Sequence, residues 1–193
     1  MTQLPDFLDS DPIKSGKDKP TYNDEDLICK PNQIFNQKKI NDFFKLKIIE
    51  RVKLVSLLKE LKSKGFDRIS LELSKNPLKA RKAIISYAFL TDCLVTSAWK
   101  FATEIQCPSH NPTEAEKLSI ISVGGYGRRE MAPFSDVDLL FLTPYKMTPW
   151  SENVIETVLY LLWDLKLKVG HSSRSIKDCL RLGSEDYTIR TAM

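Results

Sequence analysis

The chain has 193 residues, 28% of them charged and 42% hydrophobic, with a formal net charge of +4. That is room for one substantial domain, or a small domain with a helical extension, and the charge is too mild to imply nucleic-acid binding by itself. No apolar run approaches the length that crosses a bilayer, and the opening MTQLPDFLDSDPIK has neither a basic nor an apolar secretory segment, so a cytoplasmic protein that engages no membrane is expected.

Residues 1–35 mix Pro5, Pro12, Pro20 and Pro31 with polar residues and show no period, which predicts a flexible leader. Residues 36–64 then carry Ile40, Phe43, Phe44, Leu54, Leu58 and Leu61 near helical spacing, predicting one long amphipathic helix ending at a C-cap Gly65. A second helix is expected from Asn76 or Pro77 to about Ile105, rich in Ala and Leu as befits a helix packed on several sides. Pro108, Asn111 and Pro112 form a loop, and the pattern turns strand-like at Leu118. The helical region 36–117 therefore gives way to a strand-bearing core at 118–193.

Four dispersed cysteines, Cys29, Cys93, Cys107 and Cys179, form no CxxC pair and read as reduced structural thiols. After the core's first strands, residues 152–165 predict a helix with Ser151 as N-cap, and 167–176 a strand in which Gly170 marks a bulge or a close approach. The tail starts as another helix. Trp99, Trp150 and Trp163 fall in apolar helical patterns and read as core residues.

The chemistry concentrates in SIISVGGYGRREMAPFSDVDLLFL, residues 119–142. An apolar run leads into Gly124 and Gly125, where exposed peptide N–H groups and a helical start over residues 126–131 suit phosphate. A second apolar run carries Asp136 and Asp138, which share one face of an extended strand while Val137 and Leu139 take the other. Two carboxylates so placed repel unless a cation joins them, and Mg²⁺ takes carboxylate together with phosphate oxygens. The combination describes a site for a metal–nucleoside triphosphate, with in-line attack on the α-phosphorus and loss of pyrophosphate. The competing reading is a solvated hairpin in which Ser135 and Asp136 cap a turn.

Two glycines, a spacer and Asp-x-Asp resemble the nucleotidyltransferase superfamily that shares the DNA polymerase β catalytic fold. The longer GGYGRREMAPFSDVDLLFL, with LLWDLKLKVGHSSRSIKDC and SEDYTIRTAM, is similar to the amino-terminal domain of the bacterial bifunctional uridylyltransferase/uridylyl-removing family, specifically over residues 118–193. The resemblance implies an α+β fold, a small mixed sheet with helices, preceded by a helical region. It also implies transfer of UMP from UTP to a tyrosine of the nitrogen-signalling protein PII.

Carried over by position, Gly124, Gly125 and Ser135, the serine before the first aspartate, stand at the triphosphate, and Asp136 and Asp138 bind Mg²⁺. Arg128 matches the GYGR arginine, as a phosphate contact or as the structural partner of Glu130. Arg129 stands where many members have glycine. The superfamily's third carboxylate has no clear counterpart: the 167–176 strand holds no acid, leaving Asp186, then Glu185 or Asp178, each also readable as a surface charge or N-cap.

His171 lies near the nucleotide or packs in the core, and His110 sits in the proline loop without an evident partner. No His-Asp dipeptide is present, so uridylyl removal and ACT-domain sensing are not expected of these residues. The ending at Thr191-Ala192-Met193 implies a fragment. Adenylyl transfer to glutamine synthetase, nucleotidyl transfer to a small molecule, and an inactive nucleotide- or partner-binding module are the alternatives.

Overall fold

The computed structural model describes residues 22–109 and 113–185. The chain begins with short helices, α1 (Pro31–Ile34) and α2 (Gln37–Phe43). Two long helices follow, α3 (Arg51–Lys75) and α4 (Ala80–Lys100), the latter running on as a π-helical turn, Phe101–Gln106. The sheet region then reads β1 (Ser119–Ser122), α5 (Gly124–Gly127), β2 (Val137–Thr143), α6 (Pro149–Asp164), β3 (Val169–Ser175) and α7 (Ile176–Glu185). The class is α+β, helices first and a small mixed sheet after, as expected.

Two expectations for the amino-terminal part fail. Residues 22–35 are not an unpacked leader: Leu27, Ile28, Ile34 and Phe35 are buried in the core. The rest of the expected leader, residues 1–21, lies outside the described residues. The single helix over 36–64 is instead two helices with a break between Phe43 and Arg51.

The break follows from phase. The buried stripe of α3 is Leu54, Leu58, Leu61, Gly65 and Ile69, and continuing its 3.6-residue period backwards would turn Lys47 and Glu50 inward. Ile48 and Val52, off that stripe, are 75% and 74% exposed. Gly65 is therefore not a cap but a crossing point inside α3. A Cβ there would stand 2.4 Å from the Ile34 carbonyl oxygen and 2.9 Å from Leu90 Cδ1, so only glycine lets α1 and α4 come this close.

The sheet order is β1-β2-β3. β1 runs antiparallel to β2, pairing Ser119 with Leu142 and Ser122 with Leu139. β2 runs parallel to β3, pairing Val137 with Val169 and Asp138 with Gly170. Because parallel neighbours need a crossover, α6 links β2 to β3 and lays Val154, Val158, Leu161 and Leu162 against the sheet. β2 is the central strand, with Val137, Leu139 and Phe141 buried on the α6 side.

Thr148, not Ser151, caps α6. Its side chain accepts from the Ser151 N–H while Ser151 Oγ accepts from the Thr148 N–H at 2.9 Å, and Pro149 takes the first helical position, where its missing donor costs nothing. α4 packs on both α3 and α6, so one hydrophobic core joins the helices to the sheet. Among the described residues no helix is long and apolar enough to cross a membrane. All four cysteines are free thiols.

Candidate active site

Asp138 is the second residue of β2, flanked by buried Val137 and Leu139, so its side chain leaves the sheet on the face away from α6. There it is held between two glycines from different elements. A Cβ on Gly124 would lie 2.9 Å from Asp138 Oδ2, and one on Gly170 would lie 2.5 Å from Oδ1. Any side chain at either position would collide with the carboxylate. Gly124 also has φ of 61°, a left-handed conformation that costs an L-residue energy and glycine almost none. The close approach expected at Gly170 is thus to Asp138.

The glycine turn is fixed to the sheet by its backbone. The Val123 N–H donates to the Asp138 carbonyl at 3.0 Å, the Gly127 N–H to Val123 at 2.9 Å, and the Glu130 N–H to Gly125 at 2.9 Å. The helical turn occupies Gly124–Gly127 itself rather than the segment after it. The first N–H groups of such a turn have no acceptor within it, so those of Gly124, Gly125 and Tyr126 are the donors available to an anion.

Asp136 is exposed and directly precedes β2; continuing the strand's alternation puts it on the side of Asp138. Among the described residues neither carboxylate has a hydrogen-bonding or ion-pair partner of its own. Ser135 is half-buried and, with Val137, lines a cavity of about 110 Å³ between the sheet and the α3–α4 pair. That is the opposite face from the carboxylates. Arg128 is exposed, with Nε 3.3 Å from Glu130 Oε2, and its guanidinium lies 4.0 Å from where a Cβ on Gly125 would be.

Of the fallback acids, Asp178 is used structurally. Its carboxylate accepts from Ser175 Oγ at 2.6 Å and from the Ser175 N–H at 3.3 Å, while its own N–H donates to Ser175 Oγ, a capping arrangement at the start of α7 that holds its pKa below the usual carboxylate range. Glu185 pairs with Arg181 at 3.1 Å. Asp186 and His110 lie outside the described residues. Among the described residues no group of three or more His, Cys, Asp or Glu is placed to hold a metal.

His171 pairs with Leu139 in the parallel register, so it shares the α6 face and not that of Asp138. Its ring stands 6.4 Å from that of Trp163. Trp163 is not a core residue either: it is 43% exposed, edge-on to Tyr160. Trp150 keeps its indole N–H satisfied by the Cys107 carbonyl at 2.8 Å.

Sequence reasoning missed Asp92 of α4. This carboxylate is largely buried and accepts from two phenols, Tyr22 Oη and Tyr126 Oη, the latter at 2.5 Å and belonging to the glycine turn. Burial pushes its pKa up, while the two hydroxyls and the Arg129 charge pull it down. The same burial raises both tyrosines and pushes the neighbouring Cys93 thiol up to about 12. The available signal was a solitary acid inside the apolar string AFLTDCLVTSAW.

The family model described as glutamate-ammonia ligase adenylyltransferase matches residues 22–161. Proteins named bifunctional uridylyltransferase/uridylyl-removing enzyme are similar to the chain: one from Cereibacter sphaeroides is 59% identical over 139 residues and one from Ruegeria pomeroyi 54% over 140, each alignment spanning 72% of this chain. A third, from Caulobacter vibrioides, is 45% identical over 144 residues, 75% of the chain. In each case the match spans 15% of the relative's length. No solved structure matches.

Proposed function

We propose that this chain, which belongs to the glutamate-ammonia ligase adenylyltransferase family, carries the nucleotidyl-transfer site of a uridylyltransferase acting on the PII signalling protein. The observation that carries the reading is the Asp138 carboxylate set between Gly124 and Gly170, with Asp136 two residues before it. Bare glycine backbone on either side is what lets the carboxylate sit between the turn and β3. The donor set, two unpaired carboxylates completed by triphosphate oxygens, fits Mg²⁺, which binds through one or two carboxylates plus substrate phosphates.

Bound there, the ion would neutralise phosphate charge during transfer. Asp136 and Asp138 hold it. The peptide N–H groups at Gly124 and Gly125 receive phosphate oxygens, and Arg128 stands beside them as a further cationic contact. Ser135 orders the turn that delivers Asp136: its N–H donates to the Ala132 carbonyl at 3.1 Å. In the reaction a tyrosine oxygen of PII bonds to the α-phosphorus of UTP, the bond to the bridging oxygen breaks, pyrophosphate departs, and the tyrosine proton is released.

The names of the similar proteins favour uridylyl transfer. The family model's name favours a second reading, adenylyl transfer to glutamine synthetase. Transfer of labelled UMP from UTP, and of labelled AMP from ATP, to purified PII and glutamine synthetase separates them. The uridylyl reading expects the first pairing to dominate, and equal or greater AMP transfer to glutamine synthetase overturns it. Nucleotide binding without pyrophosphate release identifies a third case, a binding module, which the lack of a third acid among the described residues motivates.

A further inference from the structure

The glycine turn is held from two directions. Its backbone hangs on β2, as described, but its one buried side chain, Tyr126, passes away from the sheet into the helical region and donates to Asp92 on α4 at 2.5 Å. The same carboxylate takes a second phenol, Tyr22, from the chain's first described segment. Arg129, two residues beyond Gly127 and at φ of 60°, lays its guanidinium 4.4 Å from the centre of the Tyr22 ring.

A carboxylate taken out of water is costly unless it is hydrogen-bonded, and here each oxygen accepts from a phenol of a separate segment. The direction of the contact matters. A turn whose N–H groups must meet phosphate has to resist tilting about its attachment to β2, and the Tyr126 hydroxyl is the contact that fixes the far side. Such support of a binding loop by groups that never touch the ligand is how a site keeps its geometry.

We propose that Asp92 is a positioning residue for the nucleotide site, locking the glycine turn through Tyr126 and thereby tying the helical region to substrate binding. The part concerning the nucleotide rests on the proposed function; the part concerning the turn does not. Tyr126→Phe and Tyr22→Phe each remove one hydroxyl from the same carboxylate and keep the ring, but only Tyr126 belongs to the turn. A merely structural role for Asp92 would make the two variants equivalent.

The experiment measures amide hydrogen exchange of the 193-residue chain and, in parallel, the affinity for a fluorescent UTP analogue with Mg²⁺. In Tyr126→Phe the amides of Gly127, Arg128 and Glu130 are expected to exchange roughly tenfold faster and nucleotide affinity to fall by a similar factor, as loss of a charge-assisted hydrogen bond allows. The β2 amides are expected to stay protected, and Tyr22→Phe to leave the turn near wild type. Asp92→Asn, which keeps one acceptor oxygen, should fall between wild type and Asp92→Ala.

Unchanged turn exchange in Tyr126→Phe overturns the proposal, as does an equal effect of Tyr22→Phe. Should the wild-type chain bind no nucleotide, the functional reading fails while the exchange comparison still decides whether Asp92 holds the turn.

Discussion

Two aspartates reach the same glycine turn from different parts of the molecule, and their surroundings are opposite. Asp92 comes from a helix, is largely buried, and has a phenol on each oxygen. Asp138 comes from the central strand, with glycine backbone on either side and no partner for its carboxylate among the described residues. A carboxylate whose partners are supplied by the fold serves as a fixed strut. One left unpaired beside bare backbone is free to receive a cation and a ligand. Burial and partner count, not residue type, separate the two proposed roles.

The contrast breaks most visibly at Asp138. Asp138→Asn should lower transfer of labelled UMP by roughly a hundredfold or more while thermal stability holds or rises, since no internal partner is lost. Asp136→Asn should behave alike; retained transfer in both would end the metal assignment. Gly170→Ala comes next. Its Cβ would stand 2.5 Å from Asp138 Oδ1, so either the carboxylate or β3 must move, at about 1–3 kcal/mol of stability with most activity lost. Urea unfolding alongside the transfer assay checks both parts.

Asp92→Ala inverts the pattern. It strands two phenols and should cost about 1–3 kcal/mol of stability, read as a lower urea midpoint. The pH dependence sharpens the same point. Burial raises the Asp92 pKa in the folded state above its unfolded value, so the native chain binds the proton more tightly, and stability from this group is greatest at low pH and is lost as pH rises through the raised pKa. The stability advantage of wild type over Asp92→Asn should therefore be larger near pH 4 than near pH 7.

The smallest effect belongs to the exposed Arg128–Glu130 pair. Glu130→Gln should change stability by no more than about 0.5 kcal/mol. If Arg128 contacts phosphate, Arg128→Ala raises the KM for nucleotide and Glu130→Gln does not; equal effects would leave the arginine only its structural partner.

Much of the candidate site was legible because its signals are local. The apolar runs, the paired glycines and the Asp-x-Asp alternation lie within one stretch, and a strand's period of two already places Asp138 opposite Val137. The strand at 167–176 and the close approach at Gly170 were readable too, though not what approached. The helix boundaries failed where a local period met a tertiary demand. Phe43 to Ile49 is apolar at near-helical spacing, yet its phase does not continue the stripe that α3 buries. Gly65 looks like a cap in sequence and is a crossing point in space.

What the sequence determined by itself is the order of elements and the chemistry available at the strand and turn, because these follow from neighbours a few residues apart. The tertiary structure decided which groups meet. The Asp138–Gly170 approach is set by the parallel register of β2 and β3, and the contact of Tyr126 with Asp92 spans 34 positions of chain. Such meetings depend on how α4, α6 and the sheet pack around one core, and no local period encodes the distance between side chains that far apart.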